Sequence, residues 1–363
     1  MPYLDRGDPL ADSVVAELSS VPADEQQSSI GRALAGDVSS VPESLRSLVE
    51  VARQVPPWLD WERVARADAV FLRPGLLGGM ALGLCSLVHG YAAPAGNKPL
   101  AFSGRLKDQA SRRLAETSKF ITAVTAARGV EPGALGWQLV LRVRLMHAKV
   151  RRLVLASGRW SHEDYGHPIN QHDMLATVLL FSYVFVEAIR RLGVRVSTDE
   201  ADDYQHLFRW IGELIGVEPE LLPATHAEAE RLALFIRLTQ GPPDDDSRAL
   251  VAALLEAPLR AAHTPKERER AQRQVAVSTG LCRSLIGDEL ADALQLKRDF
   301  NRHWLTGVRA ALRVLETIRV NVPPLNGVVS AIGDDYWRRT VARGLGGVPA
   351  RYDLPDRLSG VPR

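Results

Sequence analysis

The chain has 363 residues, of which 46% are hydrophobic and 24% are charged, and its formal net charge is +2. This is the composition of an ordinary globular protein, and the near balance of charge gives no electrostatic argument for a nucleic-acid partner. The two cysteines, Cys85 and Cys282, lie far apart and form no CxxC pattern, which argues against a disulfide framework, a zinc ribbon or an iron–sulfur site.

The organisation of the chain follows from its hydrophobic pattern. Residues 1–54 are polar with short apolar clusters, and we predict an N-terminal arm of one or two helices packed on the body. Residues 55–320 are predicted to form the main helical domain, and residues 321–363, rich in Gly, Pro and Arg, a partly irregular tail. No stretch shows sustained period-two alternation, so strands are at most minor and the predicted fold class is all-α.

Residues 74–93 are apolar enough to raise the question of a membrane span. Gly75, Gly79 and Gly83 recur at four-residue spacing, which favours a buried helix that lets a neighbour approach closely. We therefore expect no stable membrane insertion. The N-terminus lacks the charged-then-apolar layout of a secretion signal, and we expect a cytoplasmic protein.

The remaining elements are helical patterns separated by loops. A turn-rich stretch over residues 90–99 precedes a long helical pattern over 105–127 and a second over 135–156. Three later helices begin with a polar residue three positions before an acidic one, which is the spacing of an N-terminal cap. These N-cap residues are Asn170, Ser197 and Thr225. Further helical patterns are predicted over residues 247–262, 266–285 and 291–317.

His147 is the most informative residue, because it lies on an apolar helix face among basic residues. The valines that share its face by helical spacing are Val140, Val143, Val150 and Val154. Arg144 and Arg151 border the same face. An imidazole on an apolar wall beside two guanidinium groups suits haem, which needs one axial nitrogen, apolar walls and cations for its propionates. By pattern alone, however, such a histidine is more often a hydrogen-bonded core residue, and the arginines could equally cover a solvated edge.

His162, His167 and His172 recur at five-residue intervals beside three acidic residues. The cluster is compatible with a carboxylate-assisted metal site. Because no tight ligand pair lies on one helical turn, we favour a polar loop over a haem edge. His172 is the second choice as an iron ligand.

Several ordered short motifs resemble the mpaB/rubber oxygenase catalytic domain family, which includes the latex clearing proteins. In chain order they are Arg-Leu-Met-His147-Ala-Lys-Val-Arg151, Trp160, Gly166-His-Pro-Ile-Asn-Gln-His-Asp173, Phe181-Ser182, Leu192-Gly193, Thr198-Asp-Glu200, Tyr204 and Trp210-Ile-Gly. The resemblance covers residues 55–255, with weaker helical continuation behind it.

The resemblance implies a globin-like helical core with additional packed helices, holding haem b with its iron on His147. Well-known members cleave carbon–carbon double bonds of polyisoprenoids with dioxygen, and others resemble oxidases or oxygenases of secondary metabolites. For this chain it implies a haem-dependent oxidoreductase that oxygenates, oxidatively cleaves or dehydrogenates a small, largely apolar substrate. Dioxygen or peroxide would be the co-substrate, and an electron donor is left open. Arg144 and Arg151 would hold the propionates or position the ligating helix.

The rubber-cleaving branch carries an Arg-x-x-Lys-Thr motif on the distal side of the haem. The matching segment here is Arg113-Leu-Ala-Glu116-Thr117, with Glu116 where the lysine would be. A carboxylate accepts a proton, and only a protonated carboxyl donates one. The three residues share a helix face, where they would orient dioxygen or peroxide and shuttle protons. The alternative is a surface Arg–Glu pair on an exposed stripe.

Rubber cleavage itself is not expected from this sequence. The acidic residue that rubber oxygenases carry upstream of the distal motif is not evident, and Asn97 or Lys98 lies near its place. Two other classes of function stay open. One is a non-catalytic haem-binding or gas-sensing protein, and the other is a helical interaction protein without a cofactor.

Overall fold

The structure is a computed structural model that describes residues 2–103, 105–298, 303–350, 352, 354 and 355. Within these residues the regular elements are all helical and no strand occurs. The all-α fold class is therefore confirmed.

The N-terminal arm contains three helices, one more than the sequence analysis allows. They are α1 (Pro9–Leu18), α2 (Ala23–Ala35) and α3 (Glu43–Arg53). Asp8 caps α1 by accepting a hydrogen bond from the backbone N–H of Ala11. Helix α2 is easily missed because its buried apolar residues are few and lie in a polar sequence. The buried side chains of all three helices belong to the same hydrophobic core as the body.

The body begins at Trp61 and continues through short and long helices. Its first half comprises α4 (Trp61–Leu72), α5 (Leu76–Ala81), α6 (Leu87–Ala92), α7 (Pro94–Ser103), α8 (Arg105–Thr125) and α9 (Leu135–Ala156). Its second half comprises α10 (His162–Tyr165), α11 (Gln171–Phe181), α12 (Tyr183–Leu192), α13 (Thr198–Leu214), α14 (His226–Thr239), α15 (Asp245–Leu255), α16 (Ala257–Arg260), α17 (Pro265–Ile286) and α18 (Asp288–Ala293). Two helices follow, α19 (His303–Asn321) and α20 (Pro324–Leu345).

Several predicted boundaries agree with the structure and two do not. Helix α9 has the predicted bounds, and the three predicted N-cap side chains accept the expected backbone hydrogen bonds. The turn-rich interpretation of residues 90–99 is wrong, because Pro94 starts α7 at a position where a helix tolerates proline. A single helix over 291–317 is also wrong, since α18 ends at Ala293 and Gln295 has a positive φ of 58°.

Residues 74–93 form α5 and α6 with one π-helical segment, Leu82–Ser86, between them. The predicted close approach of a neighbour is confirmed at Gly79, where a Cβ atom would collide with the hydroxyl of Tyr336 in α20. At Gly83 nothing lies within 4 Å of such an atom, so that glycine serves no close contact.

After Val322, in the stretch predicted to be partly irregular, most of the residues that the structure describes form α20. The indole of Trp337 is buried and stacks on Phe71 of α4 with ring centroids 4.8 Å apart. At Gly333 a Cβ atom would overlap the carbonyl oxygen of Leu72, so only glycine permits this contact between α20 and α4. Helix α20 is thus part of the core, while the proposed domain boundaries stay a prediction.

The length and composition of one continuous stretch, Gln171–Leu192, would suit a membrane span. It coincides with α11 and α12, and 67% of its apolar window is buried inside the protein. A second stretch of that kind, formed by α4 and α5–α6 together, is bent by 87°. Core helices of a folded domain meet the same criterion, so neither stretch argues for a span.

Candidate functional site

Helix α9 carries two apolar faces, and one of them is deeply buried against the N-terminal arm. Trp137, Leu141 and Leu145 lie on this face and are fully buried. The indole N–H of Trp137 donates to the carbonyl of Ala52 at the end of α3. Arg144 and Arg151 lie on the same face, so their guanidinium groups are directed into the protein.

Arg144 forms a bidentate ion pair with Asp8, the N-cap residue of α1. Its Nε and Nη2 atoms donate to the two carboxylate oxygens at 2.7 and 2.9 Å, and Nη1 donates to the carbonyl of Leu214. Gly216 lies against this pair with a φ of +98°, and a Cβ atom there would collide with the Asp8 carboxylate. The pair is therefore enclosed on a side where only glycine fits.

Arg151 links α9 to two other segments. Nε and Nη2 donate to the carbonyls of Pro168 and Ile169 at 3.0 Å each, and Nη1 pairs with Asp12 of α1. Burial raises the pKa of Asp12, although Arg151 acts in the opposite direction. The loop residue Ile169 has a positive φ of 53°, a strained conformation that these hydrogen bonds help to hold.

Two roles were predicted for Arg144 and Arg151: to hold the propionates of a haem, or to position the helix that carries His147. The donors of Arg144 and Arg151 bind acceptors in α1, α13 and the loop before α11. These contacts are the ones expected if the two arginines position α9. The propionate role finds no support in these contacts, because both guanidinium groups are buried in internal hydrogen bonds.

His147 lies on the second apolar face of α9. Val140 and Val154 on this face are fully buried, whereas Val143, His147 and Val150 are half-buried. The Nδ1 atom of the imidazole is itself buried. This face therefore combines an imidazole with a partly accessible apolar wall, as the sequence pattern predicted.

Helix α8 approaches α9 near the turn that joins them. A Cβ atom at Gly136 would lie 2.5 Å from the carbonyl oxygen of Ala123, so the two backbones touch here. His147 lies eleven residues after Gly136 on α9, and Glu116 lies seven residues before Ala123 on α8. At 1.5 Å per residue they are about 16 Å and about 10 Å along their helices from the contact. Glu116 is thus about one helical turn closer to the contact than the imidazole is.

Glu116 is 7% exposed and forms an i,i+4 ion pair with Arg112, whose Nε lies 3.2 Å from Oε1. Glu116, Phe120 and Ala123 are at i, i+4 and i+7, so the carboxyl shares the face by which α8 touches α9. Thr117 is half-buried. The alternative of an exposed stripe is wrong for Glu116, since its side chain is buried. The side chain of Arg113 lies outside the described residues.

The three spaced histidines do not converge on one point. His172 is buried, with Nε2 2.8 Å from the hydroxyl of Thr239. Nε2 of His162 lies 3.2 Å from Asp5, and the backbone N–H of His167 donates to the carbonyl of Leu4. In the part of the chain that the structure describes, no group of three or more His, Cys, Asp or Glu residues could hold a metal ion. A loop over a haem edge stays a prediction.

Two features around the site have no recognisable signal in the sequence. The first is the role of the N-terminal segment, whose Asp8 and Asp12 hold α9, and no local pattern indicates such a partner more than 130 residues away. The second is the link made by Lys98, whose ammonium group binds Asp244, the N-cap residue of α15, and Asp246 in the first turn of that helix. Asn97 is fully buried and donates to Ser247 and to the carbonyl of Tyr91.

Comparison with known families and proteins agrees with this architecture. Residues 68–317 match the family described as "ER-bound oxygenase mpaB/B'/Rubber oxygenase, catalytic domain". The match covers more than half of the chain, and the chain belongs to this family.

Two individual relatives are informative. The chain is 28% identical to a rubber oxygenase of Streptomyces sp. (strain K30) over 187 residues, which are 51% of this chain and 46% of that protein. The match thus spans about half the length of this relative. A solved structure of latex clearing protein in the closed state superposes with a TM-score of 0.73 at 21% identity, covering 98% of this chain and 95% of the other. At that identity the superposition establishes the fold.

Proposed function

We propose that this protein is a haem b-dependent oxygenase or oxidase that acts on a small, largely apolar molecule. Membership of an oxygenase catalytic-domain family supports an oxidoreductase that uses oxygen. The observation that carries the proposal is the position of His147 on a half-buried apolar face of α9, next in the chain to the helix that carries the buried carboxyl of Glu116. His147 would bind the iron.

The described residues meet two of the three requirements of a bound haem. His147 supplies one imidazole, and Val143 and Val150 supply a half-buried apolar wall beside it. The third requirement, cations for the propionates, is not met by Arg144 or Arg151, because internal acceptors occupy both. The two arginines would instead fix the orientation of α9, and hence of the imidazole.

A bound haem would supply the iron that reacts with dioxygen or peroxide. Glu116 would accept a proton on the distal side, with Arg112 as the counter-charge that keeps its carboxylate in place. Thr117 would offer a hydroxyl that both donates and accepts a hydrogen bond. Arg113 is the first residue of the same sequence motif. The apolar residues of α9 would exclude water from the substrate.

We propose a small substrate rather than a polymer because the distal motif differs from that of the rubber-cleaving branch. Glu116 replaces a lysine, which changes a group that can carry and donate a proton into one that accepts it. A cytoplasmic location and an external electron donor belong to the same proposal.

The catalytic claim is tested with haem-loaded protein and a library of small apolar metabolites, by oxygen consumption and product mass. We expect Glu116→Ala to lower turnover about 100-fold, which is typical of a lost proton-transfer group. Arg113→Ala should lower turnover as well, because its guanidinium group would no longer orient dioxygen or peroxide. Haem content should stay unchanged in both variants, and Glu116→Asp should recover part of the rate. Full turnover in both alanine variants would overturn the catalytic roles.

One observation favours a second candidate, a haem-binding or gas-sensing protein without turnover. The Glu116 carboxylate is already paired with Arg112, an arrangement that a purely structural role would also produce. In that case Glu116→Ala would leave the affinity for dioxygen or carbon monoxide unchanged, and no metabolite in the library would be oxidised.

A further inference from the structure

A cleft between α4, α8 and α20 contains charged groups that the proposed reaction does not use. Its volume is about 540 Å³, which lies in the range of small-molecule sites. Its charged residues are Asp68 of α4, Lys119 of α8, and Asp334 and Arg338 of α20. The apolar residues of its wall are Leu72, Ala126, Ala331, Trp337, Val341 and Ala342. An apolar wall with a few charged groups is the usual form of a small-molecule site.

The cleft is separate from the candidate site, although α8 contributes to both. The residues of α8 that line the cleft are Lys119, Thr122 and Ala126, at i, i+3 and i+7. The face of α8 that touches α9 carries Glu116 instead, with Phe120 and Ala123. At 3.6 residues per turn the two faces are about 90° apart around the helix axis. A molecule bound in the cleft would therefore not occupy the haem site.

Asp68 has a carboxylate that lacks a partner. The residue is half-buried, and among the residues that the structure describes none donates a hydrogen bond to it or forms an ion pair with it. Burial raises the pKa of this carboxyl to about 6, and the charge of Asp334 adds to the shift. Titratable groups with perturbed pKa values in a cleft are frequent in binding sites, where a ligand can supply the missing partner.

Lys119 is the second group without a partner. Its side chain is half-buried, and no carboxylate of the described residues lies within ion-pair distance of its ammonium group. Asp334 and Arg338, in contrast, neutralise each other, with Oδ2 and Nη2 3.1 Å apart. Within the described part of the chain, the cleft thus presents one unpaired anion and one unpaired cation that do not reach each other.

We propose that this cleft binds a small zwitterion with an apolar body, of the size of an amino acid or a dipeptide. The ammonium group of the ligand donates to Asp68, and its carboxylate accepts from Lys119. A simple cation would pair with Asp68 but would be repelled by Lys119, and a simple anion would meet the reverse difficulty. The apolar body lies against the wall that includes Val341 and Leu72. The proposal is independent of the proposed function, because it is tested by binding and not by turnover.

The ligand class is tested on the full chain by isothermal titration calorimetry with L-leucine and L-leucyl-L-leucine as probes. At least one of the two should bind with a dissociation constant of about 1 mM or lower. Isoamylamine and isocaproate, which lack the carboxylate and the ammonium group of leucine, should each bind at least ~10-fold more weakly than L-leucine, because each leaves one charged group of the cleft unpaired. The proposal is wrong if neither zwitterion binds up to about 10 mM, or if isoamylamine binds as tightly as L-leucine.

Variants of the two unpaired residues test where each end of the ligand binds. Asp68→Asn should weaken binding of the zwitterion about 10- to 100-fold and remove its advantage over isocaproate. Lys119→Gln should weaken binding similarly and remove the advantage over isoamylamine. Asp335→Asn, whose carboxylate is paired with Arg339 outside the cleft lining, is the matched control and should bind as the wild type does.

Loss of binding in these variants is distinguishable from unfolding. Asp68→Asn removes an unpaired carboxylate, so its melting temperature should not fall below that of the wild type at pH 7. A variant that is at least as stable and yet binds less tightly supports a ligand contact at Asp68. Wild-type affinity in either Asp68→Asn or Lys119→Gln would overturn the proposal.

Discussion

The two helices that flank the candidate site, α8 and α9, are held in place by different means. Helix α9 is fixed to the N-terminal arm by two ion pairs, the buried pair of Arg144 with Asp8 and the half-buried pair of Arg151 with Asp12. Helix α8 is held by close packing against α20, where a Cβ atom at Gly344 would lie 2.5 Å from Cβ of Ala115. The ion pairs hold α9 through directional contacts, whereas α8 is held by the close packing of small residues.

This difference suits the two roles proposed for the helices. An axial ligand has to keep one direction, and α9 carries His147 between its two buried arginines. The side of the site that carries Glu116 has to admit substrates. This side is formed by α8, which is covered by α20 from the end of the chain. Breaking each attachment separately should therefore have separable effects on stability.

The largest expected effect comes from Arg144→Ala. The substitution leaves the carboxylate of Asp8 buried without its partner, and loss of one member of a buried pair typically costs about 3–5 kcal/mol. We expect a free energy of unfolding lower by this amount in urea denaturation. Adding Asp8→Ala should cost less than the sum of the single losses. Arg152→Ala, on the exposed side of α9, should change stability by less than ~0.5 kcal/mol. A loss below ~1 kcal/mol for Arg144→Ala would refute the ionic attachment.

The next effect concerns α20. Gly333→Ala places a methyl group against the carbonyl of Leu72, and overpacking of this kind costs about 1–3 kcal/mol. Gly327→Ala in the same helix is the matched control. Nothing lies within 4 Å of a Cβ atom there, so the gain in helix propensity should stabilise the protein by about 0.5–1 kcal/mol. Thermal unfolding of both variants checks this, and equal melting temperatures would mean that α20 is not tightly docked.

The smallest effect is a pH dependence of the unfolding free energy, which we expect from Asp68. This residue lines a cleft of about 540 Å³ between α4, α8 and α20. Burial raises the pKa of Asp68 to about 6 from its ordinary 3.8, and the charge of Asp334 adds to the shift. The folded chain therefore binds a proton more tightly than the unfolded chain between these values, and this carboxyl destabilises the protein as the pH rises through the window.

Asp68→Asn should accordingly stabilise the protein at pH 7 by about 1 kcal/mol after allowance for solvent screening, and by little at pH 4. The measurement is the difference in unfolding free energy between variant and wild type at the two pH values. Asp335→Asn, whose carboxylate is paired with Arg339, should give no such gain. A difference that does not change with pH would contradict the raised pKa.

Helix bounds, caps and helix faces could be predicted from the sequence, whereas contacts between residues distant in the chain could not. The bounds of α9, the caps at Asn170 and Ser197, and the apolar face of His147 follow from periodicity and short-range hydrogen bonding. The partners of Arg144 and Arg151 could not be predicted, because Asp8 and Asp12 lie in a polar arm more than 130 residues away.

The C-terminal helix was missed for a related reason. The Gly-rich composition of the tail suggested a partly irregular chain without naming a helix, whereas Gly333 and Gly344 are the positions at which α20 touches α4 and α8. Glycine at a helix crossing and glycine in a loop look the same in one sequence, and only the neighbouring backbone distinguishes them.

The most direct test of the central claim is a pyridine haemochrome assay with an absorption spectrum of the purified protein beside His147→Ala. His172→Gln, which changes a buried histidine bonded to Thr239, is the matched control. We expect about one haem b per chain in the wild type and in His172→Gln, and a lost or shifted Soret band in His147→Ala. An unchanged Soret band in His147→Ala would contradict the assignment of the ligand. A colourless wild type that takes up no added haemin would contradict the haem proposal itself.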